Sequence, residues 1–512
     1  MSDWTGGYIT EIGYTYGYYT ELNPRRIAVP FLNVGLMPPA IGAACELGFG
    51  QGLSVNVHAA ASDVSWYGTD FNPGHAAFGQ SLAEAAGSDA QLFDQSFAEF
   101  CGRSDLPDFD FIGLHGVLSW VSDENERLIV DFIRRKLKVG GVLFLSYNCQ
   151  PGHAAMVPFR RLLTEHAGTM AAPGRGIVGR IDAALEFAEA LLALNPVFSV
   201  ANPTIAERLK TIQAHNRHYL AHEYFNRDWR AVTFAGLVAS LAPAKLTYAC
   251  SANYLDHIDA LNLTADQHRF LSEIPDPLFR QSVRDFIVNQ QFRRDYWVKG
   301  PRRLSSLEQA EALRRLRVML LTGPRSEVAL TVQGAVGQRE ISPSVYNPIL
   351  DTLGDHRPRT LGEIEQALSG AELRLPAIYE AVMVLAGRGD LAAVQDDEVQ
   401  AKARARTDRL NRHICDKARS GGELAVLACP LTGGGVVVSR FYQLFLLGRS
   451  QGRNSADELA SFAWDALNAQ GQRMAKDGKP LETPEENLAE LAAQARDFID
   501  RRLPVLQALQ LA

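Results

Sequence analysis

Nine residues constrain this chain more than any other stretch: Ala44-Cys45-Glu46-Leu47-Gly48-Phe49-Gly50-Gln51-Gly52. The first part is apolar enough for a buried strand. Three alternating glycines then make a tight turn, and the residues after them read as the start of a helix. Glycines at such a place let the backbone come close to a ligand, and the helix N-terminus offers it free N–H groups. Two acids frame the turn. Glu46 stands two residues before Gly48, and Asp70 closes the next apolar run, 18 residues past Gly52.

A turn of this kind belongs in a strand–helix–strand frame, and the sequence supplies one. Strands are expected at 43–47, 64–70, 90–93, 109–115 and 142–147. Helices at 51–61, 73–86 and 123–137 alternate with them. Pro73 sits just inside the second helix, and basic residues end the third, as its dipole favours. The pattern predicts a parallel sheet with helices on both faces. After Pro151 the alternation stops. Helices are expected at 154–167, 177–194, 203–225, 228–241, 264–273 and 277–294. Beyond residue 326, short strands mix with helices at 342–353, 361–370 and 375–388 and a strand at 391–394, which resembles a winged-helix unit. Residues 424–438 read as strand and turn, and two long helices, 455–476 and 484–509, follow. A chain of 512 residues is too long for one core. The expected fold class is therefore α/β with three domains. They are a nucleotide-type core at 1–165 with a Tyr-rich N-terminal arm, a helical middle domain at 166–315, and a mixed winged-helix-like and helical domain at 316–512.

The spelling of the turn selects the ligand. Dinucleotide-binding chains write GxGxxG. Here Gly48 and Gly50 fit that pattern, but Gly52 comes one position early, and Glu46 has no role in it. S-adenosylmethionine (SAM) lacks a pyrophosphate and carries an α-ammonium group, which an acid near the turn would serve. Asp70 is then placed for the ribose hydroxyls, Phe71 for the adenine face, and Asp94 with Ser96 for the adenine edge. Together with the fourth strand and Gly140-Gly141, this spacing points to a class I methyltransferase core with a Rossmann-like sheet and SAM as cofactor.

Charge and length narrow the class further. No apolar run approaches the roughly 18–20 residues of a membrane span. No Lys or Arg precedes Arg25, so no secretion or transit signal is read, and the cytoplasm is the expected location. The six cysteines are widely spaced and are expected to be free thiols. Residues 1–150 hold 8 Lys/Arg against 17 Asp/Glu, and the rest 43 against 41. An acidic core argues against nucleic acid as partner and suits a cationic substrate, although a solvated acidic surface has the same composition.

Past the core, motifs resemble a narrower family. His115-Gly116-Val117-Leu118-Ser119-Trp120-Val121 follows the fourth strand, and Ser146-Tyr147-Asn148-Cys149-Gln150-Pro151-Gly152 ends the fifth. His222-Glu223-Tyr224 and Asp285-Phe286-Ile287-Val288-Asn289-Gln290-Gln291-Phe292-Arg293 come later. These resemble the rickettsial-type protein lysine methyltransferases and their methyltransferase regulatory domain. The resemblance implies SAM as methyl donor, a lysine-bearing protein as substrate, an open cleft among three domains, and a homodimer. Cys149-Gln150 and His153 depart from it.

Amine methylation needs a neutral amine, and a free lysine has a pKa of about 10.4, so an aromatic pocket and a polar oxygen are expected near the methyl. The candidates are Tyr147 and Asn148 at the end of the fifth strand, His115 at the end of the fourth, Trp120, and Tyr14, Tyr16, Tyr18 or Tyr19 from the arm. Asn148 is favoured as the substrate-side group. His115 reads either as a base or as a structural residue whose backbone neighbours touch the cofactor. Trp120 reads either as pocket wall or as core. The arm, with Tyr8, Tyr14, Tyr16, Tyr18 and Tyr19, reads either as a lid over the cofactor or as a segment packed in a groove. His215, His218 and His222 share a helical spacing, but the HExxH spelling fails at Asn226, so an interdomain polar face is preferred to a metal. Two rivals stay open: a small-molecule methyltransferase of the same fold, and a SAM-binding scaffold without transfer activity.

Overall fold

The computed structural model describes residues 7–170, 174–323, 325–371 and 373–512, so the first six residues of the arm lie outside the described residues. Five strands form where the pattern places them: β1 (Ala43–Leu47), β2 (Ser65–Thr69), β3 (Gln91–Phe93), β4 (Phe109–His115) and β5 (Leu137–Asn148). All four of their pairings are parallel. Two more strands, β6 (Thr247–Ser251) and β7 (Phe292–Val298), complete the sheet in the order β3-β2-β1-β4-β5-β7-β6. β7 runs antiparallel to both neighbours.

These last two strands correct the expected run of helices. They lie inside 166–315, the segment expected to be helical throughout. The expected helix 277–294 ends at Ile287, and β7 follows as a strand. Its charges disguised it. Arg293 and Asp295 alternate along β7 like a solvent face, yet only 5% and 1% of their surfaces are exposed. Arg293 donates to Asp295 Oδ2 at 2.9 Å and to Asp285 Oδ1 at 2.5 Å, so the ions are buried as a cluster rather than singly. The sheet domain therefore takes strands from residues 43 to 298, with helices such as Met156–Thr169, Gly176–Ala193 and Ile205–Ala214 inserted between β5 and β6.

The expected helix 203–225 is also two helices, Ile205–Ala214 and Arg217–Tyr224. His215 is extended, and the Asn216 side chain accepts from His218 N to cap the second helix. Local capping therefore overrides the helical spacing of the three histidines.

After β7 short strands mix with helices, as the pattern beyond residue 326 places them. Strands Arg317–Leu320, Arg359–Thr360 and Leu391–Ala393 form an antiparallel sheet beside helices Pro343–Leu353, Leu361–Ala367 and Leu375–Arg388. Of the last two expected helices, the first is shorter, Ala456–Asn468, with a small hairpin at 475–480 after it, and the second runs as expected through Pro484–Asp497, a π turn at Phe498–Arg502 and Leu503–Ala508.

The C-terminal region also positions the glycine turn. Every residue of helix Leu53–Ala61, which begins at the turn, is buried. Leu53, Val57, Ala60 and Ala61 share a core with Leu410, Ile414 and Leu427, while Val55 and Ala59 join Trp66 and Phe111 on the sheet side. A helix covered on both sides needs no polar face. Each large apolar side chain on it contributes about 1.5–3 kcal/mol through burial. Asn56, one of three buried polar residues on it, donates to Gly52 O and Gly79 O.

Candidate functional site

The turn is left-handed at all three glycines, with φ of 74° at Gly48, 56° at Gly50 and 74° at Gly52. A Cβ at Gly48 would lie 2.7 Å from Val117 Cγ2, and one at Gly52 would lie 3.0 Å from Gly79 Cα. The first glycine thus admits the loop after β4, and the third admits the neighbouring helix. Gly50 has the open side, with Tyr14 3.5 Å away.

Asp70 is tied to this turn. Its Oδ2 accepts from Gly50 N at 2.9 Å, and its Oδ1 sits 3.0 Å from Asn72 N and 3.1 Å from His75 Nδ1. A carboxylate has about four acceptor positions, so one is left toward the cavity that Asp70 lines. Glu46, on β1 below the turn, is only 2% exposed. Its Oε2 has no hydrogen-bond partner, and burial drives its pKa well above the usual carboxylate range. Burial without a partner thus favours the neutral acid.

Around the turn lies a cavity of about 880 Å³. Gly48, Gly50, Asp70, Phe71, Ser96, His115, Trp120 and Asn148 all line it, bringing together much of the expected site. So do Tyr8, Tyr14, Tyr18 and Tyr19 from the arm. The arm is held to the helix Arg217–Tyr224 by its backbone. His222 Nε2 lies 3.0 Å from Ile12 O, His218 Nδ1 3.1 Å from Gly13 O, and Ile9 N donates to Asn226 at 2.9 Å. Two histidines of the possible metal set thus serve the arm's carbonyls. The Tyr14 carbonyl accepts from Gln51 at 3.2 Å, and Tyr19 N donates to Ser54 at 2.8 Å, which carries the arm over the glycine turn.

Other expected residues lie elsewhere. Tyr147 is fully buried and donates to Asp295 Oδ2 at 2.8 Å, because neighbouring residues on a strand face opposite sides. Asn148 takes the cavity side. Tyr16 packs edge-on to Phe78 at 4.9 Å, away from the cavity. Asp94 is exposed, and Gln95 and Ser96 line the cavity in its place. The Ser96 hydroxyl itself caps the next helix through Glu99. Gly52 and Glu46 stand behind the lining.

His115 stacks on Tyr19 at 3.6 Å, and its Nδ1 lies 3.0 Å from Ser146 Oγ. Burial, helped by Arg294, holds its pKa down to about 3, so it is neutral at physiological pH. Trp120 forms wall rather than core, with its Nε1 buried and unpartnered. Glu223, part of the His222-Glu223-Tyr224 motif but not among the expected site residues, also lines the cavity. Its Oε1 accepts from Tyr14 Oη at 3.0 Å, and burial pushes its pKa up to about 7 despite that bond. Five carboxylates line the cavity (Glu21, Asp70, Glu124, Glu223 and Asp228) against two guanidinium groups (Arg227 and Arg294), so the field inside favours cations.

The strand order with its one reversed strand, and the glycine turn opening on an acidic, aromatic cavity, define a class I methyltransferase fold. A family model described as a predicted methyltransferase regulatory domain matches residues 216–299. The structure of PKMT2 from Rickettsia typhi in complex with AdoHcy has the same fold, with a TM-score of 0.68 and 17% identity over 95% of this chain and 98% of that one. The uncharacterised protein RP789 of Rickettsia prowazekii (strain Madrid E) is 23% identical over 296 residues, 55% of this chain and 51% of that one. The uncharacterised protein sll1526 of Synechocystis sp. is 38% identical over 511 residues, 99% of each chain. The chain belongs to the same family as sll1526.

Proposed function

We propose that this protein is a SAM-dependent methyltransferase that methylates lysine side chains of a protein substrate. The observation that carries the reading is a cavity joining Gly48, Gly50 and Asp70 to a wall of phenol rings and Asn148. Its volume is at the upper end of the roughly 300–1,000 Å³ of small-molecule pockets, which leaves room beside a cofactor for an extended side chain. The residues fit SAM: Gly48 and Gly50 admit its backbone-side approach, the free position of Asp70 suits the ribose, and Phe71 suits the adenine. The AdoHcy held by the rickettsial PKMT2 of the same fold supports that assignment.

When bound, SAM supplies a methyl group on a sulfonium, and the electron pair of the broken C–S bond stays with sulfur. The chain's own residues do the rest. Tyr8, Tyr14, Tyr19 and Phe71 keep water from the reacting atoms. Loss of water around the amine favours its neutral form, and the Asn148 side chain orients it. A homodimer suits the exposed apolar residues Leu194, Val197 and Val200, of which Val197 is 84% exposed. A reducing cytoplasm suits the six free, buried cysteines. No described helix is long and apolar enough to cross a membrane.

The test is incubation with methyl-labelled SAM and fractionated lysate, followed by mass spectrometry. Label on lysine residues of a protein supports the reading. Label confined to small molecules replaces it with the small-molecule rival, and saturable SAM binding without transfer replaces it with the scaffold.

A further inference from the structure

On the amine methylation proposed above, we infer that Glu223 is the acceptor-recognition residue: its carboxylate, framed by Tyr8, Tyr14 and Tyr19, holds the lysine ammonium and takes one proton from it. Among the cavity's acids, Asp70 already meets three donors, Asp228 pairs with Arg227 at 3.2 Å, and Glu124 is exposed. Glu21 pairs with Arg294 at 3.4 Å. Glu223 has no ion pair among the described residues, and its one hydrogen bond comes from Tyr14. A buried carboxylate without a cation is costly, and a bound ammonium relieves that cost.

The surroundings suit a cation as well. Tyr14 stands edge-on to His222 at 4.9 Å, Tyr8 lies 5.3 Å from the same ring, and Tyr8 meets Phe71 edge-on at 5.5 Å. Ring faces attract alkylammonium groups. Tyr219, Tyr224 and His222 on its own helix segment, and Tyr8, Tyr14 and Tyr19 from the arm, are the titratable groups around it. The phenols are all shifted upward and His222 is held down to about 4, so these neighbours keep one charge state between pH 6 and 8. Glu223, pushed up to about 7, changes charge within that window.

The proton leaves nitrogen for a Glu223 oxygen, turning an ammonium–carboxylate pair into an amine and a neutral acid. The nitrogen lone pair then forms the N–C bond, sulfur keeps the pair of the broken S–C bond, and the acid returns its proton to water.

Glu223→Gln preserves the acceptor for Tyr14 and removes the charge. The first readout is binding of n-butylamine, the lysine side chain as a free molecule, to protein saturated with S-adenosylhomocysteine. Wild type should bind it with an affinity that falls as pH drops through about 7. Glu223→Gln should weaken it at least thirtyfold at pH 8 and abolish the pH dependence, with S-adenosylhomocysteine affinity unchanged within twofold. Glu223→Asp should recover part of the loss. In methyl transfer to the labelled lysate fraction, the acid limb near pH 7 should disappear in Glu223→Gln. Tyr14→Phe removes a bond that lowers the Glu223 pKa, so its midpoint should move to higher pH. If wild type fails to bind S-adenosylhomocysteine, the methyltransferase reading falls and this inference with it. If wild type binds it and methylates but Glu223→Gln binds n-butylamine as wild type does, or loses S-adenosylhomocysteine instead, the inference alone is overturned.

Discussion

Asp70→Asn tests the cofactor side of the cavity most directly. In the wild type, both carboxylate oxygens hold the turn: Oδ2 takes Gly50 N, and Oδ1 takes Asn72 N with His75 beside it. An amide keeps one acceptor oxygen and turns the other position into a donor. If the oxygen stays with Gly50, the Asn72 N–H faces an NH₂ group and is orphaned. If it turns to Asn72, Gly50 is orphaned and the glycine turn loosens. Either way one buried backbone donor loses its partner, at about 1–3 kcal/mol, and the surviving bonds change from charge-assisted to neutral, at about 1 kcal/mol each. Part of that cost falls on the free protein. The part that falls on the ligand is the change of the one outward acceptor position from charged to neutral, together with the looser turn, about 1.5–3 kcal/mol. Calorimetric titration with S-adenosylhomocysteine should therefore show a roughly 10- to 100-fold weaker complex. Asp70→Ala orphans both backbone donors and should be weaker still. Affinity within twofold of wild type for both variants, with the thermal midpoint retained, would refute the assignment of Asp70 to the ligand and leave it a turn-holding residue.

Gly52→Ala forces a β-carbon to φ 74° and to 3.0 Å from Gly79 Cα; left-handed strain alone costs about 1–2 kcal/mol, so differential scanning fluorimetry should show a midpoint lowered by several degrees, and an unchanged midpoint would mean that the two helices separate freely. Asp94→Ala changes an exposed residue outside the cavity lining, so S-adenosylhomocysteine affinity should stay within twofold; a tenfold loss would restore it to the ligand. Arg293→Met leaves Asp285 and Asp295 buried without their cation, which should cost about 3–5 kcal/mol and show as a lower urea midpoint. His58 is fully buried, and burial lowers its pKa from 6.5 to about 3. The unfolded chain therefore binds the proton that the folded one refuses, and stability falls as pH drops below 6.5, by about 2 kcal/mol at pH 5. His58→Leu should flatten that slope in thermal melts between pH 7 and pH 5, and an unchanged slope would remove His58 as its source.

What could be read from the sequence followed from local rules, and what could not followed from partners distant in the chain. β1, β4 and the helix Pro73–Ala86 are found where the alternation, the glycine turn and Pro73 place them, because apolar period and cap residues act within a few positions. β7 could not be read so easily: Arg293 and Asp295 look solvated until Asp285 and Tyr147 are known to stand beside them, and those contacts are tertiary. The break at His215-Asn216 is a different case, since Asn216 is a plain capping residue whose signal lies inside the expected helix 203–225. The site divides in the same way. Gly48, Gly50, Asp70 and Phe71 belong to one strand–turn–helix frame and its parallel neighbour, so spacing brings them together. Tyr147 and Asn148 differ by one position, and only the direction of the sheet face decides which of them meets the cavity. Glu223 lies 209 positions from Tyr14, and nothing local marks it as the acid this phenol would meet. Its significance arises from the arm crossing the cavity, which makes an acid at the end of a middle-domain helix part of a site whose other half is written around residue 48. A chain that builds its acceptor wall from an N-terminal arm and an inserted helix can vary that wall while leaving the glycine turn alone, which is why the turn identifies the fold and is silent on the acceptor.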